Sequence, residues 1–145
     1  MKPKAFLGQL DHERIVAAIR EAEGRSRGEV RVHVSSQAVD DAQAAARAQF
    51  DKLGMAQTAE RNGVLIYVAP ASQKFAVIGD RGIDEHCGPG FWTAVADAMQ
   101  DEFRQGRFTD GLVKGVTRTG QALAEKFPRT DAADRNELPD EVTED

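Results

Sequence analysis

Apolar residues recur at helical spacing at Leu10, Ile15, Ala18, Ile19 and Ala22, with Asp11 placed to cap and Leu10 to staple onto Ile15. This predicts a helix over about 11–25. The period then changes. Glu29 to Ser35 alternates strictly, with Val30, Val32 and Val34 on one face and Glu29, Arg31, His33 and Ser35 on the other. Such alternation belongs to a strand covered on one face, and its polar side suggests a sheet edge. Helical spacing returns at Ala42, Ala46, Phe50 and Leu53, with Gly54 as a stop, giving a second helix over about 40–53.

Residues 63–69 and 75–79 are apolar without alternation, as strands covered on both faces are. The few residues between them suit a hairpin, so this pair is antiparallel. Between the first and second strands lies a helix of more than three turns, which favours a right-handed parallel crossover. The sheet is therefore mixed. Trp92, Val95, Ala96, Met99 and Phe103 mark a third helix over about 89–105. Phe108 stapled onto Val113 around a Thr109 cap opens a fourth, which continues through Leu112, Val116, Leu123 and Phe127 and stops at Pro128. Gly115 and Gly120 inside it, each unfavourable by about 1 kcal/mol relative to alanine, point to close packing. The class is α/β: an α/β/α sandwich of about four main helices around a small mixed sheet.

The net charge of −5 changes meaning once it is located. After Phe127 there are seven acids and two arginines, so the residues up to Phe127 balance at seventeen of each sign. The expected organisation is one domain over 1–127 and an acidic tail over 128–145 too poor in apolar residues to order itself. A neutral domain without a basic stripe lacks the footprint of a nucleic-acid binder. Cys87 is the single cysteine, which excludes an internal disulfide and a cysteine zinc site. With neither a signal-peptide run nor a bilayer-spanning stretch, the expected location is the cytoplasm.

Candidate chemistry comes from the strand order. If the second strand runs parallel to the first and the third returns, Glu29, Asn62 and Asp80 meet at one end of the sheet, with Arg61, Arg81 and Asp84 beside them. Carboxylates joined by an amide and main-chain carbonyls are the oxygen donors that calcium or magnesium takes. Asp80, Asp84 and Glu29 are the candidate metal ligands; Asn62, Arg61 and Arg81 are further candidates for ligand contact. Turn chemistry explains the same residues without a ligand, Gly79 and Gly82 being turn glycines on that reading. Asp110 reads as a capping or dipole-compensating acid. His86 and Cys87 are adjacent, so their side chains are expected to point apart, the thiol buried and inert. His12 and His33 have no second histidine at ligand spacing. No Walker loop, Rossmann glycine run or EF-hand spacing occurs.

Taken together, Glu29-Val30-Arg31-Val32, Arg61-Asn62-Gly63-Val64-Leu65-Ile66, Gly79-Asp80-Arg81-Gly82-Ile83 and Phe91-Trp92 resemble the TPM domain. This family takes its name from a thylakoid-lumen protein, a photosystem II repair protein and a nematode acetylcholine-receptor modulator. The resemblance covers about residues 5–127, and Asn136-Glu137-Leu138-Pro139 resembles the segment after the domain in small bacterial members. It implies an α/β/α sandwich and links to divalent cations, to acid phosphatase activity and to assembly or repair of membrane complexes. The chain has no Asp-x-Asp pair, Thr93 stands where a cysteine phosphatase needs arginine after Cys87, and the transmembrane anchor of many relatives is missing. Two functions are expected in turn: a non-catalytic interaction module holding a protein partner, with a divalent-cation rim, or a weak metal-assisted phosphatase. No catalytic residue is assigned.

Overall fold

The computed structural model describes residues 1–129 and 142–145. Among these residues, five α-helices pack around a mixed four-stranded sheet. In chain order the elements are α1 (Pro3–Gln9), α2 (His12–Gly24), β1 (Glu29–Val34), α3 (Ala42–Lys52), β2 (Gly63–Ala69), β3 (Lys74–Gly79), α4 (Arg81–Arg104), α5 (Phe108–Lys126) and β4 (Val142–Glu144). The sheet order is β3-β2-β1-β4, with β1 parallel to both β2 and β4, and β2 antiparallel to β3. The crossover and the hairpin are those the apolar pattern predicts.

Val30, Val32 and Val34 join Val64, Ile66 and Val68 under the helices, in a cluster with Ile15, Ile19, Met99, Leu112 and Leu123. Leu65, Tyr67, Ala76 and Ile78 face the other way, against Ala46 and Phe50 of α3 and Met55. That makes three layers. Each Val, Leu, Ile, Phe or Met side chain among them, fully covered, contributes about 1.5–3 kcal/mol. Close packing accounts for Gly115 and Gly120: a methyl group at either would press on Met99 or Ala22.

Several expectations need correcting, beginning with the helix expected over about 89–105, which starts at Arg81. Next, β1 is not an edge strand, because β4 lies beyond it, and all six of its residues are buried. The polar side of its alternation is covered from within the chain. Nor is α5 capped by Thr109; Arg107 holds the cap position, and Thr109 Oγ1 accepts from the Asp11 amide at 3.0 Å, tying α5 to the start of α2. In addition, Gly79 and Gly82 are not turn glycines, since only Gly54, Gly88 and Gly106 among the described glycines have positive φ. A methyl group at Gly82 would instead strike the carbonyl oxygens of Glu60 and Arg61.

Beyond Phe127, Pro128 bridges Ser26, and the Arg129 amide donates to the Arg25 carbonyl at 3.3 Å. Val142–Glu144 lie on the sheet, so the described part of the acidic segment is docked on the domain rather than clear of it. Asn136 to Pro139 are outside the described residues.

Candidate functional site: the strand-end rim and the carboxyl-terminal clip

Register places the predicted residues at one end of the sheet. Glu29 stands opposite Gly63, Val64 opposite Gly79, and the Asp80 amide donates to the Gly63 carbonyl at 2.8 Å. Glu29, Asn62 and Asp80 are therefore neighbours in the fold, all buried.

What Asp80 does there is specific. It is the N-cap of α4, and its Oδ1 accepts from the Arg81 amide at 2.8 Å. Arg61 donates to the same carboxylate in parallel, Nε to Oδ2 at 2.7 Å and Nη2 to Oδ1 at 2.9 Å. Such two-pronged pairs are among the stronger hydrogen bonds a protein makes. Arg61 reaches Asp80 from a left-handed backbone, φ 53°, and its carbonyl accepts from the Gly82 amide at 2.8 Å. The residues leading into β2 are thus fastened to the first turn of α4, and glycine at 82 lets the two backbones approach.

The other candidates have separate partners. Asp84 Oδ1 accepts from the Trp92 indole N–H at 2.8 Å, across the break that Gly88 makes in α4. Arg27 bonds both oxygens of Glu60, at 2.8 and 2.9 Å, and holds that carboxyl below its ordinary range. Arg81 contributes its backbone amide. Among the described residues no three His, Cys, Asp or Glu side chains are grouped to hold a metal ion, so Asp80, Asp84 and Glu29 do not converge as one shell. Asn62 donates Nδ2 to the Arg27 carbonyl at 3.1 Å, while its buried Oδ1 has no hydrogen-bond partner among the described residues.

His86 and Cys87 both line one cavity of about 370 Å³ between α4 and α5, with Phe91, Arg118 and Glu125, and the Cys87 thiol is half-buried rather than buried as expected. Burial, then Glu125 and Asp84, raise the Cys87 pKa and keep the thiol protonated. Asp110 lies in the first turn of α5 and pairs with Arg14 at 2.9 Å.

The sequence pattern leaves a second constellation undetected. His33, 2% exposed, holds Thr143 Oγ1 at 2.9 Å through Nδ1 and Asp145 Oδ1 at 2.6 Å through Nε2. The other oxygen of Asp145 accepts from Ser35 Oγ at 2.8 Å, the Ser36 amide at 2.7 Å and Ser36 Oγ at 3.0 Å. Burial works against this charge, but the four donors outweigh it and bring the Asp145 pKa down to about 2. As a lone histidine, His33 gives no sign of this. The signal available is the polar side of β1 itself, four residues that need partners once buried.

The family model of the TPM domain matches residues 1–122. The chain belongs to the TPM-domain family. Among solved structures, the TPM domain described here is similar to the BA42 protein of the psychrophilic bacterium Bizionia argentinensis, at 40% identity and a TM-score of 0.84 over 92% of each chain. It also shares its fold with the N-terminal domain of a P. gingivalis protein, at 21% identity and a TM-score of 0.57 over 81% of this chain and 76% of that one. No curated protein matches it. No helix of the described part of this TPM domain is long and apolar enough to cross a membrane.

Proposed function

We propose that this TPM domain is a non-catalytic interaction module that holds a protein partner. The observation that carries the reading is the clip on β1: the fold already holds an extended stretch of polypeptide as an added strand, through a cradle of donors around one carboxylate. That is binding chemistry with no reacting group. The rim supports the same reading, because a general acid, base or metal ligand needs lone pairs free to act, and Asp80 already accepts three hydrogen bonds, two from Arg61 and one from the Arg81 amide. The alternative, metal-assisted phosphoester hydrolysis, needs Asp80, Asp84 and Glu29 in one shell around calcium or magnesium. The arrangement does not fit that shell. Hydrolysis of p-nitrophenyl phosphate with and without magnesium, in the parent and in Asp80→Asn, separates the two.

One observation favours a cation at the rim without catalysis. Asn62 Oδ1 is a buried acceptor lacking a donor among the described residues, and calcium accepts amide and main-chain oxygens as ligands. Calorimetry with calcium on the metal-free protein tests this, with heat of binding lost in Asn62→Ala as the supporting result.

A further inference from the structure

The clip has a side-chain code. Val142 packs against the core cluster, Thr143 and Asp145 face His33, and Glu144 is exposed. Read along the strand, the bound stretch is apolar, hydroxyl, any residue, acid. Each position has a reason. The apolar residue covers the strand next to Val32, its register partner. The hydroxyl serves two groups, since Thr143 Oγ1 meets His33 Nδ1 and also donates to the Val32 carbonyl at 3.3 Å. The acid answers all four donors of the cradle, and Ser35 Oγ is itself oriented by accepting from the Gln37 amide at 3.0 Å.

The contact is also short. β4 has three residues, against six in β1, and none of the three is fully buried. A strand of that length is held mainly by its side-chain contacts, and a segment offering the same contacts would compete with it. Because the chain's own stretch is tethered, its competition is intramolecular, and a partner in trans has to overcome its effective concentration.

Resting on the reading of the chain as an interaction module, we propose that this edge of β1 is a receptor for an extended partner segment of the pattern apolar, Ser or Thr, any residue, Asp or Glu. Residues 142–145 fill it in cis, and the partner binds by displacing them. The occupant chemistry is that of the chain's own segment: a main-chain ladder to Val32–Val34, a hydroxyl on His33 Nδ1 and a carboxylate on His33, Ser35 and Ser36.

The test uses the isotope-labelled full chain and the capped peptide acetyl-Glu-Val-Thr-Glu-Asp-amide, followed at the backbone amides of His33 to Gln37. Asp145→Asn weakens the cis occupant, so saturable shifts at Ser35 and Ser36 should appear with an apparent Kd at least tenfold below that of the parent. A peptide with asparagine in the last position should bind at least tenfold more weakly than the aspartate peptide. Thr143→Val, with Asp145 kept, provides a second weakened occupant if the first variant is poorly folded. Absence of saturable shifts at millimolar peptide in both variants overturns the proposal, as does equal binding of the asparagine peptide. A concentration-dependent dimer of the parent by light scattering, abolished by Asp145→Asn, would overturn it in favour of tail exchange between copies. Failure of the peptide arm removes this partner chemistry but not the module reading; metal-dependent turnover lost in Asp80→Asn removes the module reading whatever the peptide does.

Discussion

Arg61 and Asp80, nineteen positions apart, are joined by two parallel hydrogen bonds of 2.7 and 2.9 Å that fasten the entry of β2 to the N-terminus of α4. The carboxylate is buried and also caps the helix. This gives Asp80 a structural role that strand-end spacing alone does not distinguish from a ligand.

Asp80→Asn should therefore cost stability. Asparagine keeps the shape and some capping ability but loses the charge that the guanidinium faces. The expected loss is about 1.5–3 kcal/mol, the range for a hydrogen bond to a charged group. In a double-mutant cycle with Arg61→Gln by urea unfolding, the two losses should be far from additive. Additive losses would mean that the pair is not coupled.

Gly82→Ala should be worse than its size suggests. The backbone at Gly82 is not in the left-handed region, so the effect is steric: the new methyl group meets the carbonyls of Glu60 and Arg61. A destabilisation of about 1–3 kcal/mol is expected, as for other overpacked positions. Gly88→Ala, with φ 74° and open space around it, should instead act through backbone strain. Chemical denaturation of both variants checks the first cost, and an unchanged midpoint for Gly82→Ala would contradict the close approach.

These residues also mark what the sequence could and could not disclose. The sheet was legible because Val30, Val32 and Val34 alternate while 63–69 and 75–79 do not, and apolar spacing reports which residues face the core; it did not report that the polar side of β1 is buried as well. The shared end of Glu29, Asn62 and Asp80 followed from strand order. The pairing of Arg61 with Asp80 did not, since it depends on a left-handed residue and on the helix that begins at Arg81, and Gly82 disguised that helix as a turn. Likewise α1, seven residues with only Phe6 buried, has too little period to detect. The strand β4 was hidden by composition: three residues of an acidic segment carry no core-forming signal, and what holds them is polar recognition by His33, Ser35 and Ser36.

The clip should loosen in acid. The folded-state pKa of Asp145 is about 2, below its ordinary value of 3.8, so its contribution is fully present above about pH 4 and is lost as pH falls through about 2. Its carboxyl carbon shift, followed by NMR, should titrate with a midpoint near 2, together with the Ser36 amide. His33 Nε2 lies 2.6 Å from that carboxylate. A midpoint near 4 would mean that the four donors do not hold the charge.

Cys87 should be slow to alkylate. Its thiol pKa is raised by burial and by Glu125 and Asp84, so little thiolate is present at neutral pH. Iodoacetamide should react with it more slowly than with free cysteine at pH 7.5, and faster after Glu125→Gln. Reaction at the free-cysteine rate would contradict this picture of the cavity.

The most direct test of the interaction-module reading is turnover. Parent and Asp80→Asn are assayed for p-nitrophenyl phosphate hydrolysis in chelator and in millimolar magnesium or calcium, with folding of each confirmed by its melting curve. An interaction module should give no hydrolysis above the protein-free rate under any of these conditions, in either protein. Hydrolysis by the parent that appears with the metal, disappears with chelator and is lost in folded Asp80→Asn would contradict it.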